Sequence, residues 1–225
     1  MIGMALSVAH KDLRILLSGP GAVCQAFLLG LLIIFIFSLS QGIGETTGPA
    51  MAAAIFWISS VFCQILIFGQ LYGLEEDNRA RDCLIMAPAP GQGIWLGKCF
   101  AGLLLLVLGQ IVLLPAIIVF LGQNVIQHVG SGLLGVLLGD CGMAILGSLL
   151  GAATTRQSGR DALMSILLFP LLLPLLLAST SLLGLFFGDQ GADRAATWLG
   201  LTAAYDAIFL AAGLVLFGFL YGAEN

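Results

Sequence analysis

Charge is what this chain has least of. Of 225 residues, 8 are Lys or Arg, 12 are Asp or Glu and 2 are His, so charged side chains make up 9% of the sequence. A water-facing surface needs roughly a quarter to a third. With 60% hydrophobic residues and a mean hydropathy of +1.09, the chain reads as an integral membrane protein. A net charge of −4 lacks the basic footprint that binds nucleic acid. The patterns of catalysis and metal binding are missing as well. Cys24, Cys63, Cys83, Cys99 and Cys141 form no C-x-x-C pair and share no ligand spacing with His10 and His128, which argues against disulfides, a zinc site and covalent haem attachment. There is no H-E-x-x-H and no Ser/His/Asp set, so no enzyme is expected. The nearest approach to a phosphate loop is "GQGIWLGKC". It leaves three residues between Gly93 and Gly97 instead of four, and Cys99 stands where a magnesium-binding Ser or Thr belongs.

What is present is long apolar runs. About 20 apolar residues cross a ~30 Å hydrocarbon core as helix, and such runs occur near 21–40, 50–70, 99–121, 131–153, 162–187 and 196–221. Six transmembrane helices and an all-α fold in one domain, 1–225, are predicted, because lipid leaves no open strand edge viable. The first run has an apolar core of about 17 residues, longer than a signal peptide uses, and is read as a retained span. Leucine runs near 102–105 and 171–173 are read as lipid-facing. Residues 3–17 predict an amphipathic helix along the membrane surface, turning inward at "SGPG".

Orientation follows from the basic residues. Lys11, Arg14, Arg79, Arg81, Lys98, Arg156 and Arg160 fall in segments on one side, and only Arg194 falls on the other. The positive-inside rule then places both termini of this multi-pass membrane protein in the cytoplasm.

One stretch breaks the apolar pattern. "GLEEDNRARDCLIMAPAPG", Gly73 to Gly91, packs Glu75, Glu76, Asp77, Arg79, Arg81 and Asp82 ahead of Leu84, Ile85 and Met86. Acids first and proline past the end predict a short cytoplasmic helix over 74–86, with Glu75 and Glu76 reaching Arg79 and Asp77 reaching Arg81. Two readings stand: a solvated loop that holds orientation, or a docking helix whose charges and small apolar tip engage a soluble partner.

Inside the spans, Asp140 and Asp206 are intramembrane acids, which default to functional candidates. The plain alternative is a protonated or hydrogen-bonded Asp140 within the bundle, and a hydrated Asp206 near the outer face. Gly135, Gly139, Gly147 and Gly151 have the four-residue spacing that lets helices approach. Gln64 and Gln110 are expected to hydrogen-bond between helices. Pro115, Pro170 and Pro174 free backbone carbonyls and kink their helices. His128, in an outer segment, is the one histidine placed where it could ligate haem iron; a loop histidine with no role is the alternative.

The amphipathic start, six spans and a charged cytoplasmic helix ending in P-x-P resemble the membrane subunit of an ATP-binding-cassette exporter. More narrowly, "QLYGLEEDNRARDCLIMAPAPGQGIWLGKCFAGLLL" (70–105) and "DALMSILLFPLLLPLLLASTSLLG" (161–184), with Pro170 and Pro174 in a leucine-rich helix, resemble the cytochrome c maturation protein B (CcmB) family. The resemblance implies a permease homodimer in a bacterial inner membrane, working with a cytoplasmic ATPase that binds ATP and magnesium. The chain itself binds no cofactor, and haem is a possible cargo. It also implies a haem-handling membrane subunit, a small single-span subunit and a periplasmic haem chaperone as partners, with ATP hydrolysis tied to release of the loaded chaperone. Two other functions fit parts of the sequence. One is a general exporter of a drug, lipid or polysaccharide, and the other is a proton-coupled secondary transporter using Asp140 and Asp206.

Overall fold

The computed structural model describes all residues except 1, 20, 43–46, 78–90, 125–128, 155–159, 189–193 and 223–225. The chain forms α1 (Ile2–Ser18), α2 (Gly21–Leu39), α3 (Pro49–Asp77), α4 (Gly91–Phe120), α5 (Val129–Thr154), α6 (Arg160–Phe187) and α7 (Ala195–Gly222). Among the described residues, five helices are long and apolar enough to cross a membrane, and α1 with α2 makes up to six, as a pair bent by 73°. α2 to α7 alternate in direction, so the start of α4 and the end of α7 meet, where Gln92 donates to the Leu214 carbonyl at 3.2 Å.

Lipid supplies no hydrophobic drive between helices, so close van der Waals fit and hydrogen bonds hold them. Here the fit is aromatic side chains seated in glycine notches. Phe68 lies between Gly102 of α4 and Gly147 of α5, Tyr72 against Gly151, Trp57 against Gly139, Trp95 against Gly213 and Phe27 against Gly109. A Cβ placed on Gly147 would stand 2.5 Å from Phe68 Cδ2, so the notch requires glycine. The glycine spacing read in the sequence is thus used: Gly132, Gly135 and Gly142 receive Phe186, Leu182 and Leu175 of α6, while Gly147 and Gly151 receive α3.

The leucine runs are only half lipid-facing. Leu104 and Leu173 are exposed, whereas Leu105, Leu106 and Leu172 are core, because a helix turning 100° per residue cannot keep neighbours on one face. α4 ends in a Schellman turn. Gly122 has φ 63°, and Gln123 N donates back to Ile118 O at 3.0 Å, a left-handed cap that glycine adopts without strain. Beyond it, Gln123 donates to the Thr47 carbonyl at 2.8 Å and Gln41 bonds the Thr47 hydroxyl, pinning the entry to α3.

Candidate functional site

α1 packs along α4, with Val8, Ala9, Asp12 and Leu16 buried. At 100° per residue these four form one stripe, so Asp12 sits on the apolar side of an amphipathic helix. Lys98 faces it. It lies on the stripe of α4 that also carries Ile94, Ala101 and Leu105, all buried. The sequence reading placed Lys98 in a loop before a span starting at 99. The structure corrects this, because helix begins at Gly91 and carries Lys98 two turns inside.

Lys98 Nζ stands 3.4 Å from Asp12 Oδ2, with the two side chains 0% and 5% exposed. It donates to the Leu71 carbonyl of α3 at 2.9 Å and lies 4.6 Å from the centre of the Tyr72 ring. Tyr72 in turn bonds Ser148 of α5 at 2.7 Å. Withdrawing an ammonium and a carboxylate from water costs several kcal/mol each. Their mutual attraction, a carbonyl and an aromatic face offset that cost. Four helices are therefore tied together by one buried charge pair, within the elements that precede and follow residues 78–90.

A second polar layer lies deeper. Asp140 is fully buried; its Oδ1 accepts from Gln110 Nε2 at 2.8 Å, and the same nitrogen reaches Ser60 Oγ at 3.2 Å. Gln64 donates to the Met143 carbonyl at 2.8 Å. The expected interhelical bonds of Gln64 and Gln110 are therefore present. Asp206 is buried too, at 9% exposure, with its carboxylate against the Gly142 notch of α5. This corrects the hydrated position expected for it: Gly142 has no side chain to hold α7 away, so Asp206 enters the bundle. Trp57 Nε1, Ser179 Oγ, Asp140 Oδ2 and both Asp206 oxygens have no hydrogen-bond partner among the described residues.

The remaining sequence candidates divide simply. Glu75, Glu76 and Asp77 are the last residues of α3, which runs on as helix past the span, so the acidic run continues the second span's helix. Arg79, Arg81, Asp82, Leu84 and Ile85 lie outside the described residues, as does His128. Pro115 lies within α4, and Pro170 and Pro174 within α6, with helix continuing through all three. Tyr205 of α7 donates to the Leu171 carbonyl at 2.5 Å, one residue after the Pro170 carbonyl that the missing N–H of Pro174 leaves without its helical partner. Among the described residues, no group of three His, Cys, Asp or Glu is placed to hold a metal ion.

Two signals could have found the charge pair from sequence. Asp12 stands four residues from Val8 and four from Leu16, and Lys98 four from Ile94 and seven from Leu105. Each is a charge at an apolar position of a helical stripe.

The family model described as CcmB protein matches residues 3–220, nearly the whole chain. No curated protein matches it.

Proposed function

Since the chain belongs to the CcmB family, and so is a non-catalytic permease subunit of the cytochrome c maturation machinery, we propose that it transmits ATPase work from residues 74–86 into the bundle. Both termini and residues 74–86 face the cytoplasm in this reading, with six spans. Two copies work with two cytoplasmic ATPase subunits. The observation that carries the reading is the buried Lys98, which joins α1 through Asp12 and the end of α3 through Leu71. The docking segment connects α3 to α4, so a push on it moves α1, α3 and α4 together. Glu75, Glu76 and Asp77 end α3, at the negative pole of its dipole, where a basic surface on the ATPase relieves an unfavourable charge arrangement. The haem-handling subunit, the single-span subunit and the periplasmic chaperone complete the assembly, and release of the haem-loaded chaperone is the step driven.

Deleting the gene tests this. Cytochromes of the c type should fail to mature while b-type cytochromes, which need no covalent attachment, persist. The periplasmic chaperone should accumulate with haem bound, and an ATPase-dead strain should match. Normal c-type cytochromes in the deletion strain would refute the reading. Haem absent from the chaperone would instead mean that this subunit moves haem itself.

A further inference from the structure

At the end of the bundle away from α1, the start of α3, the last turns of α6 and the start of α7 line an open cavity of about 570 Å³. That volume lies within the range that small-molecule sites occupy. The exposed Arg194 lines it, with Trp198 one turn further along α7. The hydroxyl residues Thr180 and Ser181 of α6 line it as well. The start of α3 adds to the positive character. The Gly48 carbonyl accepts from Ala52 N at 3.0 Å, which makes Gly48 the N-cap. It brings no side-chain oxygen to the amides of Ala50 and Met51, both at the cavity wall, so they remain available to an anion. Room is left by Gly184, where an added Cβ would meet nothing nearer than Ala50 Cα at 3.9 Å.

We propose that this cavity binds an amphiphile with an oxyanion head, its carboxylate or phosphate on Arg194 and the α3 amides, and its apolar body along the seam of α3, α6 and α7. Leu185 and Trp198 supply the apolar wall, and the membrane gives the ligand its entry route. Two sources share this chemistry: an anionic phospholipid, and a porphyrin dicarboxylate of the haem class. The assignment goes beyond the function proposed above and does not require it.

The test uses the full-length chain in nanodiscs, of phosphatidylcholine alone for the first arm and of equal phosphatidylcholine and phosphatidylglycerol for the second. In one arm, protoporphyrin IX and its dimethyl ester are titrated by tryptophan quenching. In the other, phosphatidylglycerol and phosphatidylcholine retained on the chain are compared by native mass spectrometry. In at least one arm the anionic probe should bind about tenfold tighter than its neutral counterpart, equivalent to ~1.4 kcal/mol. Arg194→Gln should erase that preference, Arg194→Lys should keep part of it, and Gly184→Leu, which fills the cavity, should abolish binding while the chain still elutes as wild type does. A porphyrin preference identifies a haem-class ligand, and a phosphatidylglycerol preference identifies lipid. No Arg194-dependent preference in either arm overturns the proposal. The gene-deletion phenotype reads the maturation role separately, so either result can fail without the other.

Discussion

Removing Asp12 should weaken the setting of a charge held inside the protein. Lys98 is fully buried, and Asp12 stands with the Leu71 carbonyl at 2.9 Å and the Tyr72 ring at 4.6 Å among its partners. Breaking a buried pair from one side costs about 3–5 kcal/mol. The 3.4 Å separation is long for a charge-assisted bond, which places Asp12→Ala at the lower end, ~3 kcal/mol. The reverse removal is milder. In Lys98→Met, Asp12 still has Lys11 at 3.0 Å on its exposed side, so about 1–2 kcal/mol is expected. Replacing both, as Asp12→Ala with Lys98→Met, removes both desolvation costs and should bring stability back to within ~2 kcal/mol of wild type. The non-additivity in this cycle, at least ~2 kcal/mol, is the signature of a direct pair. Reversible unfolding in mixed detergent micelles, followed by tryptophan fluorescence, measures all four proteins. An Asp12→Ala variant within ~0.5 kcal/mol of wild type, or single costs that add to the double, would refute the pairing.

Two glycines give opposite expectations. Gly147→Ala drives a Cβ to 2.5 Å from a Phe68 ring that Gly102 confines on its other side, and should cost ~1–3 kcal/mol. Gly184→Ala meets only Ala50 Cα at 3.9 Å and should be neutral or stabilising by up to about 1 kcal/mol, both read by the same unfolding assay. Asp140→Asn keeps an acceptor for Gln110 and should support normal c-type cytochrome assembly. Asp140→Leu removes the 2.8 Å bond and should lower stability by ~1–3 kcal/mol; loss of assembly in Asp140→Asn at normal protein level would show that ionisation matters. Reversing Glu75, Glu76 and Asp77 to lysine should abolish co-purification of the ATPase while the permease still inserts, and retained binding with unchanged salt dependence would place the docking surface elsewhere.

The spans were legible because hydrocarbon imposes one crude requirement, length of apolar helix, and the runs near 131–153 and 162–187 meet it as α5 and α6. Glycine spacing was legible for a related reason, since in lipid the notch itself is the contact. The polar sites were harder. Lys98 counts as a loop charge if the span is taken to start where the apolar run starts, but "GQGIWLGK" continues the helix outward. Its glycines and Gln92 conceal a buried stripe. Asp206 was placed near water by its distance along α7, whereas its environment is set by Gly142 on another helix. The cavity beside Arg194 is built from three segments more than 120 residues apart at their extremes, and no local pattern announces it.

The polar contacts also divide the bundle mechanically. Asp12, Lys98, Tyr72 and Ser148 link α1, α3, α4 and α5 at one end. Gln110, Ser60 and Asp140 link α3, α4 and α5 in the middle, and Gln123 holds the entry of α3 to the end of α4. α3 or the residue leading into it takes part at all three levels. By contrast, α6 meets α3 and α5 through apolar side chains and glycine notches, and its side-chain hydrogen bond to α7 among the described residues is Tyr205 to Leu171. Hydrogen bonds resist sliding because they are lost within a few tenths of an ångström and leave unsatisfied groups behind, whereas apolar contacts can be exchanged for others in the next position. A displacement applied between α3 and α4 is therefore carried as a unit by α1, α3, α4 and α5, with the end of α7 that Gln92 holds to α4, and taken up at the boundary with α6 and the start of α7. The Arg194 cavity opens on that boundary, between α3, α6 and α7. Movement there changes the space offered to a bound amphiphile more readily than movement anywhere inside the hydrogen-bonded group.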